Sequence, residues 1–520
     1  MKKTLCLLMA ITMILALFTG CGENVSENSP YNPDIKVGDT GGLKMPISKT
    51  GEEITWSVTS AEGNFNDSYV VKKIREITGV NLKLEVYPAS TAMEKINVLI
   101  AGGQIPDIIG QGLDQSLADD LCTQGAFAAV EDYLDKLPNF KKTFVDNKDN
   151  NWIFKSYAAP DEKLYGFYGY DYNRDINTGA TMYRKDIFDK HGLKMWNSPE
   201  EFYQTLKKLK ELYPSSTPYT VKQTDRVFAT WSTSWGMAAH TPYYDELGKV
   251  WKFTDVDPKY KEMLDFMKKL YNEGLIDPEF ITNTQPAWTS KMTQADKAFV
   301  TTDWIGRMEM FKEQTKDTVP SYDLRFANPI GPNQSMKEPE QVCWARYVAN
   351  NNKAETAFKL LDFCLSPFGK ELITMGIEGE TYTIGEDGMA DYIEFPDTVP
   401  AITELEAKYG MFIEGMYLSF DRRSSYFEFS QREQEAQDFA KDKSKLEPID
   451  PILVYTDEEK EIKNKILADF DKAGKEFATK YVLNNGGDKE WNDWLKKAES
   501  LGYKELVKVY NDAQKRYDKL

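Results

Sequence analysis

Histidine is almost missing from this sequence. Only His191 and His240 occur in 520 residues. That nearly excludes a histidine-rich metal centre and leaves two candidate bases for Ser-His-Asp chemistry. Cysteine is scarce too. Cys6, Cys21, Cys122, Cys343 and Cys364 are the five, with no CxxC pair, so no disulfide framework is expected. Basic residues are outnumbered, 64 Lys and Arg against 82 Asp and Glu, for a formal net charge of −18. Phosphate binding needs clustered Lys and Arg, so nucleic acid is not an expected partner. Long apolar runs are lacking beyond the first 21 residues, none approaching the roughly 20 residues of a membrane span, and mean hydropathy is −0.54. Enzyme motifs are absent as well: no GxSxG elbow, no HExxH, no P-loop, and no GxGxxG after a strand. No catalytic residue, metal site or cofactor is expected. A glycoside hydrolase needs only two suitably separated carboxylates, which 82 acidic residues cannot exclude by counting. No fixed-period repeat is found.

What is present begins with the first 21 residues. Lys2 and Lys3 give a positive start, Thr4–Phe18 is an apolar run, and small residues Thr19 and Gly20 lead into Cys21. This is the pattern of a secretory signal peptide. Cysteine directly after the cut resembles a bacterial lipobox, in which the thiol is acylated. The pattern usually has Leu three residues before the cysteine, whereas Phe18 stands here and Leu17 one step earlier. Residues 1–20 are thus expected to be a lipoprotein signal peptide and Cys21 the lipid attachment site. Gly22 to Gly51 is rich in Gly, Asn, Ser, Pro, Asp and Thr. It reads as a flexible tether over 21–51, with a coil reach of roughly 30 Å.

At 520 residues the chain exceeds the length at which one core stops growing, so two lobes are expected. Glu53–Thr59 reads as a strand, Ser68–Thr78 as a helix with an apolar stripe at Val70, Val71, Ile74 and Ile77, and Val80–Tyr87 as an alternating strand. Thr91–Ala101 reads as a helix and Asp107–Gly110 as a short buried strand. Strand–helix alternation with short connections predicts an α/β sheet with largely parallel pairing. Ligands on such sheets sit outside the carboxyl ends of the strands. That points to the segments after Thr59 and Ile109, and within them to Asn64, Asn66, Asp67 and Gln111. Further on, Ser198-Pro199 and Asp257-Pro258 each start a helix. From Thr456 the pattern is mostly helical.

The order of short motifs resembles a known family. The stretches are Asn97 through Pro106-Asp107, Gly125 through Val130 to Tyr133, and Lys163-Leu-Tyr-Gly166. They continue with Tyr183-Arg184-Lys185-Asp186, Tyr271 through Pro278, Gly376-Ile-Glu378-Gly379-Glu-Thr-Tyr382, and Trp491 to Tyr517. The chain resembles the extracellular solute-binding lipoproteins of ABC sugar importers, family 1, in their long Gram-positive form. The resemblance implies an α/β fold of two lobes, a type II periplasmic-binding-protein-like clamp with hinge crossings and a helical C-terminal region. It places lobe 1 at 52–170 plus 340–400 and lobe 2 at 171–339 plus 401–520. It implies a monomer, held by a lipid anchor on the outer face of a Gram-positive membrane, that captures an oligosaccharide and hands it to ABC permease subunits. A binder of peptides or other nonsugar solutes is the main alternative, and a surface glycoside hydrolase a lesser one.

Sugar recognition needs flat aromatic faces and planar polar side chains. Trp304, after the expected strand Ala298–Asp303, stands where the family has an aromatic. Trp231 and Trp235 lie in a Ser/Thr-rich stretch read as a loop, with buried core the rival role. By the resemblance, Tyr168 and Tyr170 sit at the first crossing, Trp344 at the return, and Glu378 and Tyr382 near the cleft mouth. Asp303 and Arg422 complete the polar set. Trp288 reads as core, and Asp107 as the holder of its Pro-containing turn. The calcium loop that some relatives carry after the helix from Ser198 is not matched, because Tyr213–Tyr219 has no carboxylate. Asp171, Asn173, Asp175 and Asn177 alternate as in a calcium loop but lack Gly at its sixth and Glu at its twelfth position.

Overall fold

The computed structural model describes residues 25–519 apart from 61–62, 114, 160, 171–178, 223–225, 340, 343 and 397. The leader, Cys21, Cys343 and the alternating Asp171, Asn173, Asp175 and Asn177 lie outside the described residues. The chain forms two compact units. The first comprises Met1–Lys148, Tyr165–Gly169 and Trp344–Ser425; the second comprises Asp149–Leu164, Tyr170–Cys343 and Tyr426–Leu520. Two stretches therefore lie apart from the boundaries expected above. Asp149–Leu164 goes with the second unit, where Lys155 lies over the Tyr517 ring. Residues 401–425 go with the first, where Phe412 N–H donates to Ile373 O and Thr59 bridges Glu414.

The chain weaves between the units. It lays down β1 (Glu53–Thr59), β2 (Asn81–Tyr87), β3 (Ile108–Ile109) and β4 (Gly166–Phe167) in the first. The second then receives β5 (Ala180–Arg184), β6 (Pro242–Asp245), β7 (Val250–Phe253), β8 (Val300–Asp303), β9 (Leu324–Phe326) and β10 (Met336–Lys337). The chain returns with β11 (Arg346–Val348), β12 (Tyr382–Ile384) and β13 (Ala390–Tyr392), and β14 (Leu446–Glu447) follows in the second unit.

The first unit's sheet runs β2-β1-β3-β11-β4. β1 is parallel to β2 and β3, as the strand–helix alternation predicts, while β11 is antiparallel to both β3 and β4. The antiparallel half depends on a strand arriving from far along the chain, which no local pattern announces. Helix Tyr69–Thr78 covers the parallel half. Its N-cap is Ser68, whose side chain accepts from Val71 N–H, and Gly79 ends it at φ 70° with its N–H on Arg75 O. Val70, Val71, Ile74 and Ile77 are fully buried, each worth about 1.5–3 kcal/mol of transfer energy.

Residues 25–51 are not a free tether. They form no helix or strand, yet they are pinned to the first unit through backbone bonds. Ser26 N–H donates to Lys49 O, Asn32 N–H to Glu76 O, and Ser48 N–H to Thr78 O. Phe368 N–H donates back to Asp39 O, and the Asn139 side chain donates to Thr40 O. Polar composition marks a segment without repetitive structure; it does not show whether the backbone groups find partners elsewhere.

The second unit's main sheet is the antiparallel β8-β5-β9. Helices Pro199–Leu212 and Pro258–Asn272 begin at Ser198 and Asp257 as read from sequence, each cap side chain accepting a backbone N–H of the first turn. The C-terminal region is helical: Asp457–Leu483, opened by a Thr456/Glu459 capping box, then Asp488–Ser500 and Tyr503–Tyr517. Beneath the sheet, buried Arg184 holds Asp186 at 2.7 and 2.6 Å and stacks over Tyr322. His191 closes helix Lys185–His191 before Gly192 and pairs with Tyr213 Oη at 2.8 Å, a structural role. Cys122 and Cys364 are buried, and burial pushes the Cys364 thiol far up.

Candidate functional site

In the second unit, chemistry concentrates at the carboxyl end of β8. Antiparallel pairing with β5 fixes Val300 to Asp303, and the chain then turns into helix Arg307–Thr315. Val300 and Thr301 are buried, and Thr301 Oγ1 accepts from Trp288 Nε1 at 2.9 Å, so Trp288 is core as expected. Asp303, only 4% exposed, carries two cations on one oxygen: Lys222 Nζ at 2.9 Å and Arg307 Nε at 3.1 Å from Oδ2. Lys222 and Arg307 also lie over the Trp288 ring, 5.4 and 5.5 Å from its centroid. A cavity of about 260 Å³ opens here, walled by Val221, Lys222, Val227, Thr230, Thr302 and Asp303 among others.

Trp304 follows Asp303 and is 44% exposed, a large apolar ring kept in solvent. It rests on Gly306. A Cβ at position 306 would sit 2.4 Å from two atoms of the Trp304 ring and 2.7 Å from a third. Gly306 is the N-cap of that helix with φ −58° and ψ −10°, a right-handed conformation open to any residue, so contact rather than conformation calls for glycine. Gly306→Ala is therefore expected to displace the Trp304 ring at only a small cost to the helix it caps, since glycine gives way to alanine there with no side-chain cap bond to lose. An altered near-ultraviolet circular dichroism spectrum with Tm unchanged to within about 2 °C is the expected result.

Trp231 and Trp235 do not share this exposure. The Ser/Thr-rich stretch is helix Arg226–Ser234, and its hydroxyls turn inward: Ser232 Oγ donates to Phe228 O and Ser234 Oγ to Trp231 O. Trp231 is fully buried and donates to Tyr219 Oη at 3.0 Å, and Trp235 stacks on it with ring planes 3° apart. Both belong to the core, the rival role, rather than to a ligand surface; Trp231 is in the helix and Trp235 in the turn directly after it. Tyr219 Oη in turn meets Thr302 Oγ1 at 3.3 Å, so this core backs the cavity wall. Burial pushes the Tyr219 phenol up to about 12, against bonds from Thr302 and Trp231 that lower it. Tyr170 is half-buried in the second unit and donates to Gln341 Oε1 at 2.9 Å.

The first unit presents different groups. Trp344 is 63% exposed, and its carbonyl is held by the buried Arg346 guanidinium, which also binds the carbonyls of Gly415 and Tyr417. Tyr168 is buried, its ring lying where a Cβ of Gly166 would be, which withdraws it from solvent. Gln111 Nε2 donates to Glu414 Oε1 at 2.8 Å, while its buried Oε1 has no partner. The fully buried Trp56 Nε1 is likewise unpartnered, beside Gly110 at the end of β3.

Asn64 and Asp67 are exposed. Asn64 Oδ1 accepts from Asn66 N–H, a turn-forming contact. Asn66 is a clamp, bonded to both backbone groups of Leu84 and to Arg75. Asp107 does more than hold a turn. Burial alone would raise its carboxyl, but bonds from Thr55, Asn351 and Lys353 outweigh that and hold it below the usual range. Glu378 is exposed, whereas Tyr382 is fully buried in the β12–β13 hairpin with its Oη on Glu371 Oε1 at 2.9 Å. Burial first, and the Glu371 bond second, push its phenol far up. The motif places Tyr382 inside rather than at a surface. Arg422 is half-buried.

Sequence reasoning brought Asp303 and Trp304 together but missed Lys222, Arg307 and Gly306. A cation four residues after an aspartate was the one signal available for Arg307. Among the described residues no group of three or more His, Cys, Asp or Glu is placed to hold a metal, and no helix is long and apolar enough to cross a membrane.

A family model described as bacterial extracellular solute-binding protein matches residues 70–376. The chain is 23% identical over 538 residues to the polygalacturonan/rhamnogalacturonan-binding protein YtcQ of Bacillus subtilis, covering 97% of this chain and 98% of that one. Its fold is similar to that of an HMO-binding, ABC-transporter-associated solute-binding protein from Bifidobacterium longum infantis, with a TM-score of 0.70 and 17% identity over 90% of this chain and 98% of that one. The alginate-binding protein AlgQ2, in a structure without calcium ion, gives a TM-score of 0.66 and 21% identity over 91% and 99%. These likenesses show a two-domain α/β solute-binding fold with a helical C-terminal region.

Proposed function

Because the chain belongs to the bacterial extracellular solute-binding protein family, we propose that it captures an oligosaccharide and delivers it to an ABC permease, tethered to the outer face of the membrane through Cys21. The observation that carries the sugar reading is the exposed Trp304 at the end of β8, next in sequence to the buried Asp303 that lines a cavity. An indole kept in solvent offers the apolar platform that the C–H face of a pyranose covers, and Thr230, Thr302 and Lys222 on the cavity wall supply hydrogen-bonding groups for hydroxyls. Trp344, exposed in the first unit, is the second aromatic proposed to contact ligand.

The names of relatives support the class: YtcQ is named for polygalacturonan and rhamnogalacturonan, AlgQ2 for alginate. No bond is made or broken in this reading; capture follows from ligand contacts that stabilise one conformation over another. Trp304→Ala tests it. Affinity for the recognised glycan, expected to be micromolar or about −8 kcal/mol, should fall by about 1 kcal/mol or more with the unfolding midpoint preserved.

A further inference from the structure

Charge at the end of β8 is lopsided. In a chain of net −18, the charged side chains lining this cavity are, among the described residues, Lys222 and Asp303, and Arg307 pairs with Asp303 at 3.1 Å from outside that lining, on the Trp304 side. Two cations share a single carboxylate oxygen. Both are withdrawn from water, with side chains 16% and 10% exposed. A cation taken out of water is costly unless an anion compensates it, and here one anion serves two.

Both cations also keep donors in reserve. Beyond Asp303, among the described residues, the Arg307 guanidinium meets only the Met310 sulfur, at 3.4 Å, a weak acceptor. Lys222 adds a long contact of 3.4 Å to Gln285 Oε1. The Arg307 guanidinium carbon lies 6.0 Å from the Trp304 centroid, so one planar donor fork stands next to the exposed indole.

We infer that this site takes a sugar bearing a carboxylate, a uronate-type oligosaccharide whose ring lies on Trp304 while its acid group meets Arg307 and Lys222. The inference rests on the sugar-binding reading above. A planar fork suits a carboxylate better than a hydroxyl, and the added negative charge brings the cluster to neutrality. A neutral sugar would occupy the donors but leave the excess cation uncompensated.

The test is calorimetric titration of the folded chain with trigalacturonate and with its fully methyl-esterified form, which keeps the size and loses the charge. Oligomers of glucuronate and mannuronate run alongside, each with its ester. For at least one series the acid should bind about tenfold or more tighter than the ester at low salt, with the preference shrinking as NaCl is raised to about 0.5 M. Lys222→Gln should weaken the acid several-fold more than the ester and so remove most of that preference, and Lys222→Arg should retain it. Unchanged melting of both variants establishes that they are folded. Esters that bind as tightly as acids in every series, or a chain that binds neutral glycans but no oligouronide, overturn the uronate inference alone. A chain that binds no glycan of either kind overturns the sugar reading with it.

Discussion

Trp231→Ala is expected to cost the protein about 4 kcal/mol of stability, the range for removing a fully buried tryptophan from a core that cannot collapse around the void. The side chain has no exposure and is packed among Phe202, Tyr219, Trp235 and Phe266. Its Nε1 is the donor to Tyr219 Oη, so the substitution also takes a partner from a phenol that is itself inside the core. Trp231→Phe should fall between, keeping most of the packing and losing the donor. Denaturant unfolding measures both. Glycan affinity of the folded Trp231→Ala protein should change less than that of Trp304→Ala, because Trp231 reaches the cavity only through Tyr219 and Thr302. A loss of affinity with stability intact would return Trp231 to the ligand.

Asp303→Asn should cost about 3 kcal/mol, the lower end of what breaking a buried ion pair from one side costs. The amide keeps the shape but leaves Lys222 and Arg307 facing each other across a neutral group, and neither can relax far into water. Combining it with Lys222→Gln should recover part of the loss, since one of the two stranded cations is then gone. A double-mutant cycle in denaturant reads this coupling. Additive effects would mean that Lys222 and Asp303 do not stabilise each other. Glycan affinity should fall as well, because the same carboxylate aims the two cations.

The fold was legible in the sequence to different depths. Glu53–Thr59 is a strand with those limits, Ser198 and Asp257 cap the helices they were read to start, and Ser68, read as the first residue of its helix, is its cap. Local chemistry decides such elements: an alternating run, or a side chain that reaches its own helix's first turn. Long-range pairings were not legible. β11 joins β3 and β4 from more than 170 residues away, and residues 25–51 find their partners at Thr78, Asn139 and Phe368.

At the site the same division holds. Asp303 and Trp304 could be picked out because they end a strand. Trp231 and Trp235 misled because Ser and Thr usually mark loops, yet here their hydroxyls donate back into their own helix. Tyr382 misled because a motif identifies a segment and does not say which way its side chains point. Gly306 and Lys222 gave no signal, since each matters only through a neighbour that folding brings to it.

The most direct measurement of the central claim is a calorimetric titration of the intact chain and Trp304→Ala with the glycan that a thermal-shift panel selects. The prediction is micromolar binding to the intact chain, weakened about fivefold or more by Trp304→Ala with melting unchanged. Equal affinity in the two proteins, or no glycan bound by the intact chain, would contradict it.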